Sequence, residues 1–490
     1  MKLSKLLEKI DCIAVNGDME TEITSIEYDS RKVKEGSIFV CLKGFQSDGH
    51  RFAQMAVEKD AAALLVEDMP DFATDAVVVQ VEDSRKALAF MSAAWFDYPA
   101  EKLTVIGLTG TKGKTTTSFM MKKILEQAGH KVGLIGTTGA YIDRKKIETK
   151  NTTPESFELH SLFSQMLADG CDAVVMEASS QGFKLQRTAG VVFNYGAFLN
   201  ISPDHISPGE HETFEEYMNC KKMLFDQTEE TIVNKDADHW SEVVADAKSV
   251  TTISVKQDAD LTAENVQNIW ESGILGSSFT VKGKLNGDVT LSMPGVFNVE
   301  NALIAMAIAD KMGISFETMK EALRQVTVKG RAQVLPVPAK MGTFIIDYAH
   351  NALSMESILN MLSSYNPGRL ICLFGGGGNR PKQRRYDMGL IAGKYADLTI
   401  ITTDNPRFES PQAINEHIIE GLNVHEGEYK IIMDRAEAIR YLLDTCTEKD
   451  LVVFVGKGHE EYQDIQGVKY YFSEEKVVLD YLKEKGLLEA

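Results

Sequence analysis

The apolar residues of the chain fall into short runs, and the pattern of these runs changes along the sequence. An amphipathic helical pattern over residues 1–10 precedes apolar runs at 37–42, 62–67 and 76–81. Short apolar runs bounded by polar turns are typical of buried strands. The pattern predicts a small α/β domain at the start of the chain.

A second pattern begins at Leu103, where an apolar run ends in a glycine loop and a helical segment follows as far as Gly129. Strand-like and helical segments then alternate, which predicts a mostly parallel sheet covered by helices. An antiparallel hairpin is expected around Asn286-Gly287, because this dipeptide favours a tight turn. A helical pattern over 298–313 is expected to close the domain near Arg331.

A third pattern repeats the second one. Apolar runs within 343–350, 369–378, 398–406 and 450–460 each end in a glycine-rich or polar turn, and helical segments lie between them. In open parallel sheets, ligands bind beyond the carboxyl ends of the strands, where these turns lie. The three patterns together predict an α/β chain of three domains, with bounds 1–98, 99–331 and 332–490.

Composition narrows the class of protein. The chain is 44% apolar and 25% charged, which is typical of a globular protein, and its net charge of −19 disfavours nucleic-acid binding. The six cysteines are scattered without metal-ligand spacing, so reduced thiols are expected. No apolar run is long enough to span a bilayer, and the features of a signal peptide are absent. We expect a cytoplasmic protein without membrane insertion, and a monomer.

The most specific local signal is Gly110-Thr111-Lys112-Gly113-Lys114-Thr115-Thr116, which lies between a predicted strand and a predicted helix. Glycines let backbone N–H groups approach phosphates, and the helix N-terminus adds positive potential. Lys114 is expected to reach the β- and γ-phosphates, and Thr115 to place its hydroxyl on Mg²⁺. Leu108 occupies the first glycine position of the strict pattern. The loop indicates a nucleoside triphosphate, but it does not separate an ATPase, a kinase and a ligase.

Six further motifs follow along the chain. They are Met-Glu-Ala-Ser-Ser at 176–180, Asn-Ile-Ser-Pro-Asp-His at 200–205, Asn-Cys-Lys-Lys at 219–222, Gly-Val-Phe-Asn-Val-Glu-Asn at 295–301, Gly-Arg at 330–331 and Asp-Tyr-Ala-His at 347–350. With these motifs the whole chain resembles the Mur ligase family. The resemblance implies an ADP-forming ligase that activates a carboxylate with ATP as an acyl phosphate and then forms an amide bond.

Segments 28–31, 151–154, 404–407 and 456–460 resemble the family members that add the third peptide residue. This resemblance implies that meso-2,6-diaminopimelate is added to UDP-N-acetylmuramoyl-L-alanyl-D-glutamate in peptidoglycan precursor biosynthesis. By the same resemblance, the N-terminal domain binds the uridine nucleotide, and the central domain is ATPase-like with a phosphate loop. The C-terminal domain is Rossmann-like and binds the amino acid.

The resemblance also implies the catalytic and metal-binding residues. Lys114 contacts the transferred phosphate, and Thr115, Glu177 and His205 are the implied ligands of Mg²⁺. Lys221 is implied to be carbamoylated by CO₂, which turns a cation into an anion that supports Mg²⁺ beside the acyl phosphate. Without the resemblance, Glu177 would be interpreted as a strand-end carboxylate, His205 as a turn residue and Lys221 as part of a solvated helix face.

Nucleotide and dipeptide contacts are implied as well. Beyond the phosphate loop, the implied ATP contacts are Asn298, Asn301, Arg331 and Asp347. Both asparagines are expected to precede a helix, and helix capping would by itself explain Asn298. Gln181 and Leu185 differ from the residues usual in the family. The implied contacts with the UDP-linked dipeptide are Tyr28, Ser30, Phe45, Gln46, Ser47, Asn151, Thr152, Thr153, Ser179 and Arg187.

The amino acid is predicted from its charges. Diaminopimelate differs from lysine by a distal carboxylate, which requires a cation such as Arg407 or Arg385. Glu460 is expected to face an ammonium group. L-Lysine, another diamino acid, a folylpolyglutamate-type ligase and an inactive binding scaffold remain the alternatives. The implied amino-acid contacts are Arg385, Asp404, Asn405, Pro406, Arg407, Gly456 and Glu460.

Overall fold

The computed structural model describes residues 1–44, 47–143, 145–204, 206–207, 209–271 and 274–488. Helices and parallel-rich sheets alternate along these residues, as predicted. The chain forms two compact units. The first holds 1–262, 283–285 and 300–319, and the second holds 263–282, 286–299 and 320–490. The three-domain bounds at 98 and 331 stay a prediction.

The start of the chain forms a five-stranded sheet with three helices. Its strands are β1 (Cys12–Asn16), β2 (Ser25–Glu27), β3 (Ser37–Val40), β4 (Ala63–Val66) and β5 (Val77–Val81). Its helices are α1 (Leu3–Leu6), α2 (Ala53–Val57) and α3 (Ser84–Trp95), and 3₁₀ turns lie at Gly49–Phe52 and Pro99–Lys102. The strand order is β1-β5-β4-β3-β2, with β1 antiparallel to β5. The predicted N-terminal helix is a single turn, because this turn already buries its leucines in the core.

The middle of the chain forms a sheet whose central strands are parallel. Its strands are β6 (Thr104–Thr109), β7 (Val132–Gly136), β8 (Gly139–Ile142), β9 (Lys145–Ile147), β10 (Ala173–Glu177), β11 (Phe193–Phe198), β12 (Thr228–Asn234) and β13 (Val250–Ser254). Its helices are α4 (Lys114–Gln127), α5 (Ser156–Ala168), α6 (Ser180–Lys184), α7 (Phe214–Asp226) and α8 (Trp240–Val243). The order is β13-β12-β11-β6-β10-β7-β8-β9. Leu108 pairs with both Glu177 and Ala197, so β6, β10 and β11 end at the same edge.

Three more strands follow, β14 (Leu261–Glu271), β15 (Ile274–Gly283) and β16 (Gly287–Leu291), and then the helices α9 (Val296–Lys311) and α10 (Phe316–Gln325). The hairpin predicted around Asn286-Gly287 is confirmed, since Val281 of β15 pairs with Gly287 of β16. The expectation that Asn298 and Asn301 precede the helix is wrong. Helix α9 begins at Val296. It starts early because Gly295, at φ +97°, turns the chain directly before it.

The last part of the chain forms a six-stranded sheet in the order β17-β18-β22-β19-β20-β21. Strands β18, β22, β19, β20 and β21 run parallel to one another, whereas β17 is antiparallel to β18. The strands are β17 (Gln333–Val334), β18 (Thr343–Asp347), β19 (Arg369–Phe374), β20 (Leu398–Ile401), β21 (Tyr429–Ile431), β22 (Asp450–Val455) and a separate hairpin of β23 (Tyr462–Ile465) and β24 (Val468–Tyr471). The helices are α11 (Ala352–Ser363), α12 (Lys382–Tyr395), α13 (Pro411–Leu422), α14 (Arg435–Thr445) and α15 (Glu474–Glu484), with 3₁₀ turns at Ala339–Met341 and Asn423–His425.

Two expectations from composition bear on the fold. All six cysteines are unpaired thiols, and four of them are buried, which agrees with the expected reduced state. Over the described ranges, the helices fall short of the length and apolar character that a membrane span requires.

Candidate functional site

The phosphate loop connects β6 with α4. Gly113 has φ +88°, and a Cβ at this position would lie 2.5 Å from Asn301 Oδ1, so the loop requires glycine there. Helix α4 begins at Lys114, and within the described chain no side chain caps its N-terminus. The N–H groups of its first turn are therefore directed at the position where a phosphate would bind.

The segment after β11 holds the loop in place. The Thr111 N–H donates to Asn200 O at 3.0 Å, and the Lys112 N–H donates to Asn200 Oδ1 at 2.9 Å. Thr111 Oγ1 also lies 3.0 Å from the hydroxyl of Tyr217. Sequence analysis assigned Asn200 no role of its own, although it is part of a quoted motif. In the structure, the hydrogen bonds of Asn200 hold the phosphate loop in its conformation.

Lys114 lies against the loop carbonyls. Its Nζ donates to Gly110 O at 2.7 Å and to Thr111 O at 3.2 Å. Thr115 and Thr116 follow it on the buried side of α4. The loop therefore combines backbone donors, a lysine and a hydroxyl, which is the set that a nucleoside triphosphate with Mg²⁺ requires.

Glu177 ends β10 beside the phosphate loop and is 1% exposed. Its Oε1 accepts from the Thr137 N–H at 3.0 Å, and its Oε2 accepts from Thr137 Oγ1 at 2.9 Å. These bonds fix a hard anionic ligand of the kind Mg²⁺ prefers. Within the described ranges, no group of three or more His, Cys, Asp or Glu residues is arranged to hold a metal ion. His205, the other implied ligand, lies outside the described residues.

Lys221 lies inside the protein and not on a solvated helix face. It is 1% exposed on α7, its Nζ donates to Gly110 O at 3.0 Å, and it lies 4.4 Å from the centroid of the Tyr217 ring. Burial, together with the charge of Lys114, lowers the pKa of Lys221 well below its ordinary value. A larger fraction of neutral amine follows, and the neutral amine is the form that reacts with CO₂.

The predicted dipeptide contacts of the first unit cluster around Glu177. Thr153 Oγ1 donates to Glu177 O at 2.9 Å and lies 3.0 Å from Ser179 Oγ, and Thr152 Oγ1 lies 3.2 Å from Thr137 Oγ1. Arg187 donates to Thr153 O at 3.1 Å and forms an ion pair with Glu155. Asn151 precedes this cluster as an exposed residue.

The predicted uridine contacts follow the neighbouring strands β2 and β3. Tyr28 and Ser30 come after β2, and Ser47 comes after β3. The Tyr28 hydroxyl donates to Glu158 of α5, and burial and this carboxylate raise the pKa of Tyr28. Phe45 and Gln46 lie outside the described residues, so their role stays a prediction.

Arg331 and Asp347 are close together in the second unit. The two oxygens of Asp347 accept from the N–H groups of Ala332 and Ala349, each at 2.8 Å. Arg331 lies with its guanidinium carbon 5.0 Å from the centroid of the Tyr348 ring. Burial raises the pKa of Asp347, and the nearby Arg331 opposes this shift. The ATP contacts predicted for Arg331, Asp347 and Asn298 stay predictions.

A cavity of about 210 Å³ lies at the carboxyl ends of β18, β19, β20 and β22. It contains guanidinium groups and carboxylates together, which suits a ligand that carries both charges. Arg380 and Arg384 were not predicted, although the basic run after the glycine turn at 375–378 was a signal for them. The lining residues are Tyr348, His350, Gly375, Gly376, Gly377, Arg380, Arg384, Arg385, Met388, Asp404, Asn405, Arg407, Gly456 and Glu460.

Arg407 enters this cavity from an unusual backbone conformation, with φ +50°. Its N–H donates to Asp464 O at 3.0 Å, and its carbonyl accepts from the Gln466 N–H at 2.8 Å, so the β23–β24 hairpin holds it on both sides. Its Nη1 donates to Gly378 O at 2.7 Å, and its Nε lies 3.6 Å from Asp464 Oδ2. Pro406, which precedes it, packs its carbonyl against Gly378.

Arg385 also lines the cavity, but its guanidinium already has partners. It is 2% exposed and forms two hydrogen bonds with Glu409, at 2.7 and 2.8 Å, and two with Gly377 O, at 3.0 and 3.2 Å. Arg385 lowers the pKa of Glu409 to about 2. Because the guanidinium of Arg385 is already paired with Glu409, Arg407 is the better supported partner for a ligand carboxylate. The sequence did not reveal the pairing of Arg385 with Glu409.

Asp404, Asn405 and Glu460 form the acidic side of the cavity. Asn405 Nδ2 donates to Glu460 Oε2 at 3.1 Å, and Asp404 Oδ1 lies 3.1 Å from the buried Nζ of Lys457. Burial raises the pKa of Glu460. Lys457 was quoted in a motif but given no role, and its place between Gly456 and Gly458 after a buried strand was the available signal.

Comparison with known proteins agrees with this geometry. Residues 22–95 match the description "Mur ligase family, catalytic domain", residues 108–309 match "Mur ligase middle domain", and residues 330–458 match "Mur ligase, glutamate ligase domain". The chain is 40% identical to UDP-N-acetylmuramoyl-L-alanyl-D-glutamate–2,6-diaminopimelate ligase 1 of Clostridium acetobutylicum, over 99% of this chain and 100% of the relative. It is 38% identical to the corresponding ligase of Clostridium perfringens, again over 99% and 100% of the two chains.

A solved structure of a ligase with the same substrate name superposes with a TM-score of 0.75, at 26% identity and 99% coverage of both chains. The family descriptions, the full-length relatives and the shared architecture agree with one another. The chain therefore belongs to the Mur ligase family of ATP-dependent, ADP-forming peptide ligases.

Proposed function

We propose that the protein joins meso-2,6-diaminopimelate to UDP-N-acetylmuramoyl-L-alanyl-D-glutamate with cleavage of ATP to ADP and phosphate. The observation that carries this proposal is the cavity at the sheet edge of the second unit, which Arg407 and Glu460 both line. A distal carboxylate and a distal ammonium group require opposite charges in one small volume. The names of the relatives, which are 2,6-diaminopimelate ligases, agree with this choice.

The reaction proceeds in two steps. A carboxylate oxygen of the dipeptide attacks the γ-phosphorus of ATP, the bond to ADP breaks, and an acyl phosphate forms. The neutral amine of diaminopimelate then attacks the acyl carbon, inorganic phosphate leaves, and the amine loses a proton. The N–H groups of the phosphate loop and Lys114 are suited to bear the charge on the transferred phosphoryl group.

Mg²⁺ fits the residues beside the loop. The buried carboxylate of Glu177 and the hydroxyl of Thr115 would be oxygen ligands, and the imidazole of His205 is the implied nitrogen ligand. When bound, Mg²⁺ would neutralise charge on the phosphates. We further propose that Lys221 carries a carbamate, since burial favours its neutral amine. The carbamate would add a second anion to that of Glu177, near the cationic Lys114.

Substrate binding is proposed along the first unit. Tyr28, Ser30 and Ser47 would contact the uridine nucleotide, and Arg187 a substrate carboxylate, once Glu155 releases it. We also propose that the active form is a monomer. Light scattering of the active protein would check the oligomeric state.

The test is a ligation assay that offers diaminopimelate, L-lysine and ornithine separately. We expect ADP release that depends on the UDP-linked dipeptide and on diaminopimelate, with a product mass equal to both substrates minus water. L-Lysine should react with a kcat/KM at least about tenfold lower, since it cannot pair with Arg407. A preference for lysine would show that the cavity does not select a distal carboxylate.

A further inference from the structure

Lys457 is a buried lysine that the reaction itself does not use. It follows β22, and its side chain is 0% exposed. Its Nζ donates hydrogen bonds to Tyr462 O at 2.7 Å and to Asn405 Oδ1 at 3.2 Å, and it forms an ion pair with Asp404 Oδ1 at 3.1 Å. The ammonium group therefore joins the turn after β20, where Asp404 and Asn405 line the cavity, to the start of the β23–β24 hairpin.

Asn405 transmits this fixed position to the cavity. Its Oδ1 accepts from Lys457 and from the Asp464 N–H at 2.9 Å, and its Nδ2 donates to Glu460 Oε2 at 3.1 Å. A lysine ammonium can only donate and an ionised glutamate can only accept. The two partners therefore fix which end of the amide points in each direction, and so they fix the position of the Glu460 carboxylate.

The charges around Glu460 depend on Lys457 as well. The groups that act on this carboxylate are Lys457, Arg407, Asp404, Tyr348 and Tyr462. Burial and Asp404 favour the protonated acid, whereas Lys457 and Arg407 favour the carboxylate. Arg380 and Arg384 also line the cavity. Without Lys457, Asp404 would be a buried anion without its lysine partner, next to a glutamate that must itself stay ionised.

We propose that Lys457 is a positioning residue for amino-acid selection, which fixes Asn405 and thereby aims Glu460 at the distal ammonium group of the substrate. The inference rests on the proposed function. A lysine needed for folding alone would be replaceable by an apolar residue of similar volume, provided that Asp404 were neutralised at the same time. Selection of the amino acid would then be unaffected.

The first experiment measures KM for each substrate in Lys457→Met. We expect KM for diaminopimelate to rise at least about tenfold, while KM for ATP changes by less than about twofold. Lys476→Met on α15, which removes an exposed ion pair with Asp480, is the matched control and should leave both values unchanged. An equal rise in both KM values, or none, would overturn the proposal.

A second comparison covers the case in which Lys457→Met fails to fold. Asp404→Asn removes the buried anion, and Lys457→Met/Asp404→Asn then removes its partner without leaving a charge. We expect the double variant to fold and to have a KM for diaminopimelate at least about fivefold above that of Asp404→Asn, because Asn405 Oδ1 loses the Lys457 donor and keeps only the Asp464 N–H. Equal KM values in these two variants would refute a positioning role.

A readout without turnover separates this inference from the proposed function. In protein with ¹³C-labelled glutamate carboxyls, the signal that Glu460→Gln removes reports the titration of Glu460. We expect its pKa to be at least about one unit higher in Lys457→Met/Asp404→Asn than in Asp404→Asn. If wild-type protein does not use diaminopimelate, the proposed function is wrong, yet this shift still supports Lys457. An unchanged titration would overturn the inference even if diaminopimelate is the substrate.

Discussion

Arg407 combines a strained backbone with a charged side chain at the wall of the cavity. A non-glycine residue at φ +50° costs on the order of 1 kcal/mol, and two backbone hydrogen bonds to the β23–β24 hairpin offset this cost. Its guanidinium bonds to one backbone carbonyl and lies near one carboxylate, so further donors remain to bind a ligand. The assignment of Arg407 to the distal carboxylate stays a prediction.

Arg407→Ala should lower kcat/KM for diaminopimelate by at least about tenfold, because a charge-assisted hydrogen bond contributes about 1.5–3 kcal/mol. Use of lysine should not fall in proportion, since lysine lacks the distal carboxylate. The measurement is kcat/KM for both amino acids in wild type and variant. Arg440→Ala, which breaks an exposed ion pair with Glu484, serves as the control. An equal loss for both amino acids would contradict the assignment of Arg407.

Lys221→Ala should nearly abolish ligation. The buried amine lies beside Gly110 and Lys114, where a carbamate would supply an anion in addition to Glu177. A short carboxylic acid should restore part of the activity, because it can occupy the space left by the carbamate. Lys222→Ala, which changes the neighbouring lysine, should retain most of the activity. Undiminished turnover in Lys221→Ala would end this proposal.

Sequence reasoning at the residue scale located the features whose signal is local. The loop at 110–116 was predicted between a strand and a helix, and it connects β6 with α4. Glu177 was singled out by the family resemblance, and it ends β10, which pairs with β6. The roles of these residues stay predictions. The pairing of Arg385 with Glu409 joins residues 24 positions apart, and the contacts of Lys457 with Asn405 join residues 52 positions apart. Such partners depend on tertiary packing, so spacing along the chain could not reveal them.

The phosphate loop depends on glycine at the element scale. Gly113→Ala should raise KM for ATP by at least about tenfold, because the new Cβ would overlap with Asn301 and displace the first turn of α4. Gly129→Ala is a matched control, since Gly129 has φ +95° but a Cβ there would meet nothing within 4 Å. It should destabilise the protein without changing KM for ATP. Equal effects of the two variants would show that backbone strain, and not the overlap, is responsible.

Strands were predicted correctly where a short apolar run is clearly bounded by polar residues. The runs at 37–42, 62–67 and 76–81 form β3, β4 and β5, and the glycine turns of the last sheet follow buried strands. The start of α9 was predicted too late along the chain, since Asn298 is a good capping residue but Gly295 already turns the chain. Boundaries depend on such competition between neighbouring signals.

At the scale of the whole molecule, His160 should make the fold sensitive to acid. It lies buried on α5, and in the described part of the chain both of its ring nitrogens lack a hydrogen-bond partner. Burial lowers its pKa to about 4, whereas an unfolded histidine titrates near about 6.5. The unfolded state therefore binds the proton first as pH falls. The contribution of the neutral ring to the free energy of unfolding is complete above about pH 6.5 and is lost progressively between about pH 6.5 and pH 4. At pH 5 the free energy of unfolding is about 2 kcal/mol lower than above about pH 6.5.

Urea unfolding of wild type and His160→Leu at pH 7 and at pH 5 would check this expectation. The free energy of unfolding of the wild type should fall by about 2 kcal/mol more than that of His160→Leu between the two values. His425→Leu, at an exposed histidine, should follow the wild type. If His160→Leu loses as much stability as the wild type, the acid sensitivity originates elsewhere.

The cavity that we propose for the amino acid is lined by residues between Tyr348 and Glu460, whereas the phosphate loop and Lys221 lie more than a hundred residues earlier in the chain. The residues proposed to select the amino acid and those proposed to activate the carboxylate are therefore encoded in separate parts of the gene. Mutations confined to the last third of the gene could therefore change which amino acid is used, while the residues of the phosphate loop stay the same. In this arrangement the composition of a cell wall can diversify without reinvention of the machinery that drives its synthesis.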